Sequence, residues 1–113
     1  MIIICTGGRN HKDRDLVCRV LNELKPKGVI VGDCPSGVDL YVKEWCKESK
    51  TDFTVFDADW TKHGLAAGPI RNKTMVCFGA PLKAILIAFE GGRGTADCVR
   101  HAKARNMIVL EAK

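Results

Sequence analysis

A chain of 113 residues that is 46% hydrophobic and 27% charged has ordinary globular composition and the length of one domain, residues 1–113, around one core. Its apolar runs, such as Met1 to Cys5 and Ala84 to Phe89, fall far short of the roughly 18 residues a membrane helix requires. The formal charge of +5 admits an anionic partner, but the basic residues are dispersed along the chain, which favours a solvated surface over a nucleic-acid footprint.

In chain order, Met1 to Thr6 reads as a buried strand; with no basic segment ahead of Ile2-Ile3-Ile4 it is not a signal peptide, and a cytoplasmic protein is expected. Lys12 to Leu24 is an amphipathic helix stopped by Pro26 and Gly28, and Val29-Ile30-Val31 is a short buried strand. Val38 to Lys50 gives a second helix and Phe53 to Phe56 a third strand. Ala58 to Gly68 is irregular, and Pro69 suits the first turn of a helix running to Phe78. Leu82 to Phe89, Thr95 to Arg105 and Met107 to Leu110 complete the pattern as strand, helix and strand.

Strands alternating with helices imply right-handed crossovers and a parallel sheet covered on both faces. The expected fold is therefore α/β, a Rossmann-like three-layer sandwich with a five-stranded parallel sheet in the order 3-2-1-4-5. The chain reverses direction across that sheet between strands 1 and 4, and ligands bind at such a switch point. The glycine-rich turns Gly7-Gly8-Arg9, Gly32 to Asp39 and Gly91-Gly92-Arg93-Gly94-Thr95 all fall on its carboxyl edge.

Glycines after a strand let a backbone approach an anion, and the first-turn amides of the next helix point at it. Gly91, Gly92, Gly94 and Thr95 are therefore expected to hold a phosphate, with Arg93 or Arg9 adding a charge-assisted contact; a plain tight turn is the alternative. Gly7, Gly8, Ser36 and Gly37 belong to the neighbouring loops. Asp39 caps a helix, accepts a ribose hydroxyl or orders the glycine loops. Trp60 offers a face for a base or simply packs, and Lys62 an ammonium for a phosphate. Arg71, with Asn72 beside it, is placed in the first turn of a helix, where the dipole disfavours a cation unless an anion faces it. Asp97 is placed in the first turn of the last helix, and if it meets Arg71 the pair can position a water or a ribose.

The six cysteines form no Cys-x-x-Cys pair and mostly lie in apolar segments, so buried thiols are expected; Cys34, in a turn, is the one placed for exposure. The three histidines are scattered, and neither a metal nor a cofactor is expected.

The series Gly7-Gly8-Arg9, Ser36-Gly37-Val38-Asp39, Trp60-Thr61-Lys62-His63-Gly64, Gly68-Pro69-Ile70-Arg71-Asn72 and Gly91-Gly92-Arg93-Gly94-Thr95 resembles the YspA-type branch of the SLOG superfamily along nearly the whole chain. That superfamily unites Rossmann-like domains of the DNA-processing protein DprA/Smf and the LOG phosphoribohydrolases with sensors of nucleotide-derived ligands. The resemblance implies a binder of a nucleotide or nucleotide-derived small molecule. Its alternatives are an N-glycosidase of the LOG kind, with Arg71 and Asp97 in the active roles, and single-stranded DNA binding of the DprA kind. In LOG enzymes a Pro-Gly-Gly-x-Gly-Thr turn binds the phosphate; here Phe89-Glu90 precedes the glycines, and Asp97 stands where those enzymes carry a Glu. Related folds pair through helices, so a homo-oligomer is expected.

Overall fold

The computed structural model describes every residue from Met1 to Lys113. Strands β1 (Ile2–Thr6), β2 (Gly28–Gly32), β3 (Asp52–Phe56), β4 (Ile85–Phe89) and β5 (Val109–Ala112) form one sheet in the order β3-β2-β1-β4-β5. All four pairings are parallel, as the sequence predicts. Helices α1 (Arg14–Leu24), α2 (Gly37–Ser49), α3 (Trp60–His63), α4 (Ala67–Gly79) and α5 (Arg93–Ala104) lie between them.

Because successive strand residues point to opposite faces, each central strand feeds two cores. Ile3, Cys5, Val29, Val31, Ile87 and Phe89 meet Val17, Leu21, Val38, Val42 and Trp45 of α1 and α2. Ile4, Ile30 and Leu86 meet Met75 and Val76 of α4 and Cys98 and Ala102 of α5 on the other side. Helices thus cover both faces, and the three-layer arrangement follows from strand hydrophobicity that does not alternate.

Several boundaries depart from the sequence reading for local reasons. The Asp13 side chain accepts from the Leu16 amide at 3.0 Å, so α1 begins at Arg14 rather than Lys12. Ala80–Leu82 is a 3-10 turn and Lys83 takes φ +57, so β4 starts only at Ile85. Asn106, also at φ +57, turns the chain out of α5, and β5 shifts to Val109–Ala112. The stretch from Ala58 to Gly68 contains α3 and a 3-10 turn, and α4 begins at Ala67, two residues before Pro69. Likewise α5 begins at Arg93. Glycine weakens a helix interior but is tolerated in the first turn, where position matters more than propensity.

Cys5, Cys46 and Cys98 are buried thiols, and burial pushes Cys46 and Cys98 up to about 11; Cys18 and Cys34 are partly exposed and Cys77 is exposed. No helix is long and apolar enough to cross a membrane.

Candidate functional site

The order β2-β1-β4 at the sheet centre brings the loops after these three strands together, and they interlock. The Gly8 amide donates to the Glu90 carbonyl at 3.0 Å, and the Val38 amide donates to the Gly8 carbonyl at 3.2 Å. Ser36 Oγ donates to the Arg9 carbonyl at 3.0 Å. Gly37 has φ +66, and any Cβ there would strike the Gly8 carbonyl oxygen. Ser36 and Gly37, read from sequence as ligand contacts, therefore clamp the Gly7-Gly8-Arg9 turn and do not line the cleft. Gly7 lies tight against the Val38 side chain, and Gly91 tight against Thr95 Oγ1 and 2.6 Å from the Gly8 amide nitrogen, measured from an ideal Cβ. These glycines are needed for the loops to close on one another.

Gly92 and Gly94 differ. A Cβ at either would meet nothing within 4 Å, and neither has a positive φ. The fold does not require glycine at these two positions, while a ligand lying close to the backbone would. Gly92 is the N-cap of α5 without a side-chain cap, and the first bond of the helical ladder runs from the Ala96 amide to the Gly92 carbonyl at 3.1 Å. The amides of Arg93, Gly94 and Thr95 therefore have no acceptor within the helix, and the helix dipole adds a partial positive charge where they converge.

Beside this turn lies a solvent-open cleft of about 1790 Å³, far more room than a lone phosphate needs and ample for a nucleotide. Its floor holds a polar network anchored on α4. Arg71 Nη1 bonds Asp33 Oδ1 at 2.8 Å, and Arg71 Nε donates to Asn72 Oδ1 at 3.0 Å. Asn72 Nδ2 donates to the Gly94 carbonyl at 3.1 Å and lies 3.4 Å from Asp97 Oδ2. Arg71 and Asp97 do not meet: Asn72 stands between them, and Asp97 pairs with Arg100 on its own helix at 2.5 Å, with His101 Nε2 at 3.6 Å. Both residues lie two positions deeper in their helices than expected, in the second turn, because α4 and α5 start early. The dipole conflict assigned to Arg71 is removed with that shift.

Asp33 was not singled out in the sequence. A lone aspartate after a strand has no local pattern, and its role rests on partners far along the chain, Arg71 and the Ala58 amide, which Asp33 Oδ2 accepts at 3.2 Å. Gly32, which opens the glycine-rich turn after β2, makes room for this floor: an ideal Cβ there would lie 2.5 Å from Arg71 Nη1 and 2.7 Å from Asp39 Oδ2. Asp39 is in the first turn of α2 but caps no helical amide; its Oδ2 accepts from the Cys34 amide at 3.1 Å, which orders the loop after β2. Burial raises its carboxyl above the usual value of 3.8, against the downward pull of that hydrogen bond and of the Arg71 and Lys43 charges.

Arg9, Arg93 and Lys12 supply cations along the cleft wall and Glu90 a carboxylate. Trp60 is half-exposed at the mouth of the cleft with its ring edge over Gly68, so it packs on one side and is open on the other. Lys62 is exposed on α3 and does not line the cleft; its amide donates to Asp59 Oδ1, which caps that short helix.

Comparison with known proteins identifies the family. The family model described as "YspA, cpYpsA-related SLOG family" matches residues 1–63, which span the first two loops of the cleft and Trp60. The Gene 61 protein of Mycobacterium phage D29 is 35% identical to this chain over 119 residues, covering 96% of this chain and 93% of that protein.

Proposed function

The chain belongs to the YspA, cpYpsA-related SLOG family, and on that footing we propose that it binds a nucleotide or nucleotide-derived small molecule at the carboxyl edge of its sheet. The ligand's phosphate lies on the Gly91–Thr95 turn, Arg93 and Arg9 add charge, and Trp60 flanks the base. The observation that carries this reading is the contrast among the glycines: Gly7, Gly37 and Gly91 are required by packing, whereas Gly92 and Gly94 face open space in front of unpaired helix amides. A side chain there would cost the fold nothing and the ligand its closest approach.

Cleavage of an N-glycosidic bond has weaker support. Asp97 is paired with Arg100 and Arg71 with Asp33, and Asn72 stands between the two, so they do not face one bond as an acid–base pair.

The test is a thermal-shift panel of mononucleotides and dinucleotides on the wild type and on Gly94→Asp. The variant adds a carboxylate to the turn itself, at a position where nothing lies within 4 Å of the new Cβ. A ligand at 100 times its Kd stabilises the protein by about 2.7 kcal/mol. At least one nucleotide raises the wild-type Tm and fails to raise that of Gly94→Asp; a panel that moves neither protein overturns the reading.

A further inference from the structure

Asp39 is 7% exposed, and no ion pair engages it. Its Oδ2 is taken by the Cys34 amide, while no protein donor reaches its other oxygen. No fully sealed polar side-chain atom in the molecule lacks a partner, and Asp39 lines the cleft, so this free Oδ1 looks out into it. Arg71 stands beside it. Its Nε and Nη1 are bonded to Asn72 and Asp33, which leaves Nη2 unassigned, and the two groups are neighbours over Gly32, whose Cβ position would lie 2.5 Å from the bonded Nη1 and 2.7 Å from the bonded Asp39 Oδ2.

An acceptor-only carboxylate next to a donor-only guanidinium selects by chemistry. A second phosphate is repelled by Asp39, and an ammonium is repelled by Arg71. A hydroxyl suits both, because it donates to one group and accepts from the other. We propose that Asp39 and Arg71, side by side above Gly32, form a hydroxyl subsite, so that the ligand carries a sugar hydroxyl in addition to the anion held by Gly91–Thr95. This rests on the reading of the cleft as a nucleotide site and narrows it to ligands with an intact ribose.

The experiment is calorimetry with adenosine, guanosine, cytidine and uridine 5′-monophosphates against their 2′-deoxy and 3′-deoxy forms, on the wild type and on Asp39→Asn. The asparagine keeps a carbonyl oxygen for the Cys34 amide and turns an NH₂ toward the cleft, so it preserves the loop and inverts the polarity of the free atom. Hydrogen bonds to a charged group support a loss of at least about tenfold. The wild type should therefore bind the best ribonucleotide about tenfold or more tighter than one of its deoxy forms, and Asp39→Asn should bind the two alike, at the weaker level. Gly94-dependent binding with no preference between ribo and deoxy forms in the wild type overturns the subsite and leaves the nucleotide site standing. A preference that survives in Asp39→Asn does the same. Absence of binding by every nucleotide overturns both.

Discussion

The side-chain amide of Asn72 donates to the carbonyl of Gly94 at 3.1 Å, and this bond joins the middle of the cleft floor to the first turn of α5. Asn72 is 4% exposed and uses its other atom to accept from Arg71 Nε. One buried side chain thus fixes where Arg71 points and where α5 begins. Read from sequence as a ligand contact, it serves the site by holding two other elements in register.

Asn72→Asp removes the donor and sets a carboxylate against both the Gly94 carbonyl and Asp97. A buried acceptor left without a partner costs about 1–3 kcal/mol, more when a charge is involved. Urea denaturation should show a loss of at least that size, and Asn72→Ala a loss toward its lower end. Stability within about 0.5 kcal/mol of wild type for both variants would remove the network from the account, since surface changes typically fall in that range.

Gly37→Ala and Gly94→Ala separate fold from ligand. Gly37 has φ +66 and no space for a Cβ, so alanine there strains the backbone by about 1–3 kcal/mol and pushes the loop after β1 out of place. Gly94 is helical and open, and alanine there leaves stability unchanged or raises it by up to about 1 kcal/mol. Nucleotide affinity should fall in both. Denaturation midpoints paired with calorimetry check this, and undiminished binding by Gly94→Ala would contradict the placement of the anion.

The Asp39 carboxyl gives a pH signature. Burial raises it above 3.8, with Asp33 adding to the rise and the Cys34 amide, Arg71 and Lys43 opposing it. The folded state therefore holds this proton more tightly than the unfolded state, so the group favours folding below the unfolded value and loses that contribution as pH rises through the raised one. Above it, the ionised carboxylate is a standing penalty. Asp39→Asn lifts the penalty, so the variant should be more stable than wild type at neutral pH, with the gain shrinking as pH falls toward about 4. Denaturation midpoints across that range test it; a gain that grows toward acid would mean the carboxylate is stabilised in the fold.

The sheet order was legible because each central strand is a short apolar run ended by glycine, and parallel connectivity then leaves few topologies. The Gly91–Thr95 turn was legible for the same local reason. The cleft floor was not. Asp33, Gly32 and Asn72 act through partners on other elements, and the contact of Gly37 with Gly8 joins residues that only the fold makes neighbours. Lys62 lies outside the cleft lining, on α3, a helix too short to give a clear periodic signal in the sequence. The early starts of α4 and α5 are hidden by small residues and glycines, and that offset of two residues alone moves Arg71 and Asp97 out of the first turn.

The central claim is that an anionic ligand sits on the amides of Arg93, Gly94 and Thr95, and backbone amide NMR during titration with the nucleotide that most raises the Tm tests it most directly. The largest shift changes are expected at those three amides and at Gly8 and Gly92, with little change across β3 and β5. Changes centred on another face of the molecule, or saturation that leaves the amides of Arg93, Gly94 and Thr95 unmoved, would contradict it.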